Sequence, residues 1–462
     1  MIYGKASYLL FVMLMAMTQV SLAGFTVQDR GTGDNCDITD EAILEVVIEI
    51  AAQRLGVSAG KIGVMDNFAT LGADTMTIYE INATAADRYK VRDVIAEFSN
   101  ESVCQLSLQV EEALSMLGQM RGRGPDSIDE EVIEQTVYYA TNRQQNSSAA
   151  ELSQRYSGER SADKILDYGV AVVTIPASHK SGMLEGPFLG LKMLEDPKSH
   201  IILSSLEEMG ESDFFASIGK TLAQSTGGDW DGHAVIFIHG FNVPFTEAVI
   251  RTAQVAYDIE FTGAPMLFSW PSDGKLLGYT SDREDATWSV AYLRNFLDKT
   301  VAQLAGKKIH IIAHSMGNQV LIGALQQMML ADSSRSQMFE SITLAAPDFD
   351  AELFVDQIAP LVRDLTSQWT IYTSDNDMAL SVSLEVNSNR RLGQPVTPIA
   401  EYDVIDATGI EVSPWSVPEN HSYYATKQQV IDDIQQAISG VNARDRGLSQ
   451  KRKGGIVYYS LE

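Results

Sequence analysis

The sequence is poor in cysteine and short of positive charge, and past its N-terminus it has no apolar run long enough to cross a bilayer. Cys36 and Cys104 are the only 2 cysteines, and no histidine cluster accompanies them, so a cysteine-based zinc site is excluded. Both lie in the N-terminal part of the chain, where an oxidising compartment would favour one disulfide between them. The 34 Lys and Arg stand against 61 Asp and Glu, a net charge of −27 that would repel nucleic acid and anionic membrane surfaces. No nucleic-acid partner is therefore expected. At 462 residues with 45% apolar content, the chain is long enough for two or three packed domains.

The first residues, Met1-Ile2-Tyr3-Gly4-Lys5, precede an apolar run from Tyr8 to Met17 and then Val20-Ser21-Leu22-Ala23-Gly24. One Lys, a short apolar region and small residues describe a secretory signal peptide over 1–23, cut after Ala23. The run is shorter than the roughly 20 residues a membrane anchor needs. A periplasmic or secreted location follows as the expectation.

Residues 36–116 carry helix-like apolar spacing, with Ile43, Val46, Val47, Ile50 and Ala51 on one stripe. Asp74 is placed to cap a helix ahead of Met76, Ile78 and Tyr79. Ala51 to Glu80, with Leu55-Gly56-Val57 and Leu71-Gly72-Ala73-Asp74-Thr75-Met76, resembles an acyl carrier protein. In that family a serine follows the Asp and receives a phosphopantetheine arm in the cytosol; this chain has Thr75 and an export signal. A small all-α, four-helix scaffold or docking module is expected here, offering a surface to a protein partner. Gly118, Gly122, Gly124 and Pro125 mark 117–135 as a linker.

From Thr136-Val137-Tyr138-Tyr139-Ala140-Thr141 onward, short apolar strands alternate with helical stretches across 136–440. That alternation predicts an α/β fold, a mostly parallel sheet covered by helices on both faces. Beyond it, 441–462 contains the basic run Arg444 to Lys453 and reads as a solvated tail.

The chemistry is concentrated at two strand ends. Ala234-Val235-Ile236-Phe237-Ile238 runs into His239-Gly240-Phe241-Asn242, and Ile309-His310-Ile311-Ile312 runs into Ala313-His314-Ser315-Met316-Gly317. Val320, Leu321, Ala324, Leu325 and Met328 then follow helical spacing. This is the strand, elbow and helix context of a G-x-S-x-G nucleophile, with Ala313 in place of the first glycine. Ser315 is the candidate nucleophile, and the backbone N–H groups of Met316 and Phe241 are the candidate oxyanion donors. Asn242 either braces that turn through its amide or simply favours the turn conformation.

A serine needs a base, and the base needs an orienting acid. The histidine after the elbow is His421, in Glu419-Asn420-His421-Ser422-Tyr423-Tyr424, and it takes the role of base. Trp369-Thr370-Ile371-Tyr372-Thr373-Ser374 ends in Asp375-Asn376-Asp377, where a triad acid belongs. Asp377 is preferred; Asp375 and Asp348, the latter after Ser341-Ile342-Thr343-Leu344-Ala345-Ala346-Pro347, are the alternatives. His179, His200, His233 and His310 receive structural readings, while His239 and His314 are expected in the pocket wall. No metal or cofactor is expected.

Tyr139-Ala140-Thr141-Asn142-Arg143, the His-Gly-Phe-Asn turn, Phe268-Ser269-Trp270-Pro271-Ser272, the Ser315 elbow and Ala345-Ala346-Pro347-Asp348 together resemble a family of bacterial α/β hydrolases of unassigned function. The resemblance spans about 136–440 and implies an esterase- or lipase-type serine hydrolase of a small acyl ester, acting through an acyl-enzyme. It also implies a wall or lid formed by Trp270, Pro271 and Gly278-Tyr279-Thr280-Ser281-Asp282-Arg283. The alternative is a non-catalytic hydrolase scaffold that binds a partner through its helical domain.

Overall fold

The computed structural model describes residues 36, 38, 41–73, 75–89, 102–122, 132–186, 196–225, 228–274, 278–410 and 421–461. The expected signal peptide 1–23, the capping residue Asp74, and 123–131 of the expected linker lie outside the described residues. What is described falls into two compact units, one over 36–122 and one over 132–185 and 196–461.

In the first unit, helices α1 (Glu41–Leu55), α2 (Thr75–Tyr89) and α3 (Val103–Gly122) surround an apolar centre. Ile43, Val47, Ile50 and Ala51 recur at helical spacing on α1 and pack with Phe68, Ile81, Ala85, Leu106 and Val110. Cys36 and Cys104 form a disulfide that ties the entry of the unit to the first turn of α3. Helix α3 runs through Gly118 to Gly122, into the stretch read as linker. Each helical glycine costs about 1 kcal/mol relative to alanine, and Leu114, Met116, Leu117, Gln119, Met120 and Arg121 around them are strong enough helix formers to carry the helix through.

The second unit opens with β1 (Val132–Thr141), β2 (Arg143–Gln145), β3 (Tyr156–Arg160), β4 (Asp167–Pro176) and β5 (Ile202–Met209). Then α4 (Glu211–Gln224), β6 (His233–Ile238), α5 (Phe245–Asp258), β7 (Ala264–Ser269), α6 (Tyr279–Gln303) and β8 (Lys308–His314) follow. The remainder is α7 (Gly317–Ala331), β9 (Ser341–Ala345), β10 (Trp369–Thr373), α8 (Met378–Asn387), β11 (Asp403–Asp406), α9 (Gln428–Ile438), β12 (Ser449–Lys453) and β13 (Ile456–Ser460). Among the described residues 11 strands form one sheet in the order β12-β13-β11-β10-β9-β8-β6-β7-β1-β4-β5. It is parallel from β13 to β1 and antiparallel at both edges.

Alternation along each strand divides the core into two layers. Ala234, Ile236 and Ile238 of β6 face the cluster built with Phe214, Phe296 and Leu325 of α4, α6 and α7. Val235 and Phe237 face the opposite cluster, with Val249 of α5 and Ile431 and Ile434 of α9. Burial on both faces explains why β6, β7 and β8 read as nearly unbroken apolar runs. The architecture is the three-layer α/β arrangement that the alternation predicts.

The C-terminal stretch read as a solvated tail corrects that expectation, because it completes the sheet. Gly454 and Gly455, at φ +59° and +84°, make the two-residue turn that lets β12 and β13 pair, and Ile456-Val457-Tyr458-Tyr459 supplies the strand former beside β11. Lys451, Arg452 and Lys453 occupy the edge strand, where charge discourages pairing with another chain. Arg446 is buried and reaches Asp433 at 3.0 Å and Asp403 at 3.1 Å.

His179, given a structural reading from the sequence, holds the loop after β4 against α5. Its Nδ1 lies 2.6 Å from Glu185 and its Nε2 2.7 Å from Asp258. Burial pulls its pKa down, but the two carboxylates outweigh burial and raise it to about 9. With a folded value above the ordinary imidazole value near 6.5, this pair of contacts stabilises fully below that pH and is lost as pH rises through about 9. Denaturant melts of the wild type should therefore show stability falling between pH 6.5 and 9, and His179→Gln should flatten that slope while lowering stability near neutrality.

Candidate active site

Strand β8 delivers Ser315 to the carboxyl edge of the sheet, and α7 begins two residues later. The serine sits at φ +51°, a left-handed conformation that costs a non-glycine residue roughly 1–3 kcal/mol unless its surroundings enforce it. They do so with hydrogen bonds. Ser315 N–H donates to Ala345 O at 3.0 Å, and Ser315 O accepts from Asp348 N–H at 3.2 Å. The buried Asn318 amide donates to Ala313 O, Ser315 O and Ala345 O at 3.1, 3.0 and 3.3 Å, stapling the elbow to β9. Gly317 has no room for a side chain, since a Cβ there would come within 2.4 Å of His239 O. The turn after β6 thus presses directly on the elbow.

His421 reaches Ser315 from a distant part of the chain. Its Nε2 stands 2.6 Å from Ser315 Oγ and its Nδ1 2.8 Å from Asp377 Oδ2, so the serine hydroxyl donates to the ring and the ring donates to the carboxylate. The backbone of His421 is held as well, because His314 Nε2–H donates to its carbonyl at 3.1 Å. Asp377 is fully buried and caps α8, its other oxygen accepting from Leu380 N–H at 3.0 Å. That cap bond fixes the orientation of the carboxylate toward the ring. Burial lowers the His421 pKa, but Asp377, with Asp348 adding, outweighs it and leaves the ring above its ordinary value.

The three candidate acids separate clearly. Asp375 is exposed, with its carboxylate near Val396 N–H at 3.3 Å. Asp348 is buried beside the elbow but turned to other partners: Arg391 Nε at 2.7 Å, Ser383 Oγ at 2.5 Å and Tyr279 OH at 2.8 Å. Asp377 alone of the three touches His421.

The turn 239–242 lies against the serine. A Cβ on Gly240 would come within 2.9 Å of Ser315 Cβ, so glycine is required for that approach. Among the described residues neither the Phe241 nor the Met316 backbone N–H has an acceptor. Asn242 stands at φ +59°, and its side chain makes no hydrogen bond among the described residues, so its part is conformational. Its N–H donates to Asp282 at 3.2 Å.

Trp270, expected in a wall or lid, is instead fully buried beneath the turn, stacked on His239 with ring centroids 5.0 Å apart. Tyr279 does border the site, edge-to-face with Phe241 at 5.6 Å. Asn318 and Arg391 lie outside the motifs that the sequence offers. Asn318 carries a signal, a polar residue amid the buried apolar positions just after the elbow, whereas Arg391 acts through contacts remote in sequence. Among the described residues no group of three or more His, Cys, Asp or Glu is arranged to hold a metal ion.

A serine at positive φ between a parallel strand and a helix, with the carboxylate and then the histidine following along the chain, defines the α/β-hydrolase fold. Residues 216–439 match the family model described as alpha/beta hydrolase of unknown function (DUF900). The chain is also 29% identical to the uncharacterized protein alr1448 of Nostoc sp., over 29% of this chain and 42% of that protein's length. It thus spans less than half the length of that relative. Among solved structures it is similar to brefeldin A esterase, described as a bacterial homologue of human hormone-sensitive lipase. The similarity covers 87% of this chain and 84% of the other at 10% identity with a TM-score of 0.25.

The electrostatics of His421 can be read directly. In protein labelled at its histidines for NMR, the His421 ring should titrate above 6.5, and in Asp377→Asn, which removes its contacting carboxylate, it should titrate below the wild-type value.

Proposed function

We propose that this chain is an exported serine hydrolase of carboxylic esters. The observation that carries the reading is the contact of Ser315 Oγ with His421 Nε2 at 2.6 Å, on a serine whose backbone is held at φ +51°. Ser315 Oγ attacks the ester carbonyl carbon while His421 Nε2 takes its proton, and Asp377 stabilises the resulting imidazolium. The carbonyl oxygen gains charge as the bond forms and is met by the N–H groups of Phe241 and Met316. Collapse expels the alcohol, which takes the proton from His421, and leaves the acyl group on Ser315. Water, deprotonated by the same ring, then releases the acid and restores the serine.

Two further elements complete the reading. The signal-like N-terminus and the Cys36–Cys104 disulfide fit a periplasmic or secreted protein. The helical unit serves as a docking module for a protein partner, and the substrate of the second unit is a small acyl ester.

Intact-mass analysis of the purified protein with a fluorophosphonate probe tests the chemistry. One adduct on the wild type and none on Ser315→Ala is the expected result, and hydrolysis of p-nitrophenyl acetate by that variant should fall by about 10⁴-fold or more. A folded wild type that takes no adduct would instead favour a non-catalytic, partner-binding scaffold.

A further inference from the structure

Beneath the turn that carries Phe241 lies a buried polar network centred on Arg143. This guanidinium is fully buried and, among the described residues, no carboxylate touches it. Its Nε donates to Ser269 Oγ at 2.8 Å, and its Nη1 to Ser272 O at 2.9 Å and Ser157 O at 3.3 Å. Its Nη2 donates to Val243 O at 2.7 Å and to His239 Nε2 at 3.2 Å. Burial lowers its pKa to about 9, which leaves it charged at neutral pH. A buried charge with neutral partners is weak evidence of stabilisation, since an apolar side chain of similar volume often serves a core as well. Its partners point to a different use.

Ser269 Oγ accepts from Arg143 Nε, so its own proton is free to go to His239 Nε2, 3.2 Å away. With two donors aimed at Nε2, that nitrogen carries the lone pair and the ring proton sits on Nδ1. Nδ1–H donates to Gly240 O at 2.9 Å. Burial, with the Arg143 charge adding, keeps the imidazole neutral. In a trans peptide the Gly240 carbonyl and the Phe241 N–H point in opposite directions, so fixing one fixes the other. Trp270 holds the same histidine from a third side, its Nε1–H donating to His239 O at 2.8 Å.

We infer that Arg143 is a positioning residue for the oxyanion turn: through Ser269 it selects the His239 tautomer that clamps the Gly240 carbonyl and so aims the Phe241 N–H at the developing oxyanion. This rests on the serine-hydrolase reading. The transition state, not substrate binding, should feel its loss.

The test compares His239→Asn, whose amide nitrogen sits about where Nδ1 does, with His239→Leu, which fills the space without a donor. Arg143→Met is measured beside them. Steady-state hydrolysis of p-nitrophenyl acetate, the second-order rate of fluorophosphonate labelling and the melting temperature are read for each. His239→Leu and Arg143→Met should lose about 10²-fold or more in kcat with KM changed by less than about threefold, and labelling should slow in parallel. His239→Asn should keep kcat within about tenfold of wild type, a separation that a purely structural role would not produce. If Arg143→Met does not fold, the His239 pair decides. Equal losses in Asn and Leu, or a loss confined to KM, would overturn the proposal. A wild type that takes no label overturns the hydrolase reading and the proposal with it, whereas a labelled wild type with an undiminished His239→Leu overturns the proposal alone.

Discussion

A serine held at φ +51° is the constraint around which the carboxyl edge of the sheet is organised. The conformation is unfavourable in isolation, and it persists because β9, Asn318 and the 239–242 turn leave the backbone no other course. Gly317 and Gly240 are the complement of that strain: each lies where any side chain would strike the backbone or side chain opposite. Ser315 Oγ therefore meets His421 from a rigid strand end rather than from a loose loop. Rigid support of this kind is what a reaction needs if the reacting atoms are to be held in register without loss of binding energy.

Charge is distributed around that elbow with equal economy. Asp377 and Asp348 are both buried and both raise the His421 pKa, yet they do different things. Asp377 contacts the ring and is held at the N-terminus of α8; Asp348 pairs with Arg391 and gathers Tyr279 and Ser383 into a satisfied network. The second carboxylate thus contributes field while its hydrogen bonds hold α6 and α8 together beside the serine. On the other flank Arg143 joins β2, the end of β7 and the turn after β6. Two buried arginines, one paired and one not, brace the two sides of the elbow.

Much of this is legible in the sequence, for local reasons. The strand runs at 234–238 and 309–312, the small residues around Ser315, and a histidine after the acid along the chain are short-range patterns. What the sequence leaves open depends on contacts between remote segments. A strand end at 373–377 does not disclose which carboxylate turns inward, and the answer for Asp348 comes from Arg391, 43 residues further on. Trp270 reads as a wall because aromatic residues at strand ends can serve either way, and its stacking on His239 decides for the interior. The C-terminal run misleads because its charge masks two glycines in turn conformation and an Ile-Val-Tyr-Tyr strand. Helix α3 runs past its expected end because helix formers outweigh Gly118.

The claim on which the account stands is that His421 activates Ser315. It is tested most directly by the second-order rate of fluorophosphonate labelling in wild type and in His421→Gln, with both proteins shown to be folded. The rate should fall by about three orders of magnitude or more in the variant, because the hydroxyl would lose the base that takes its proton. Equal rates in the two proteins would contradict it.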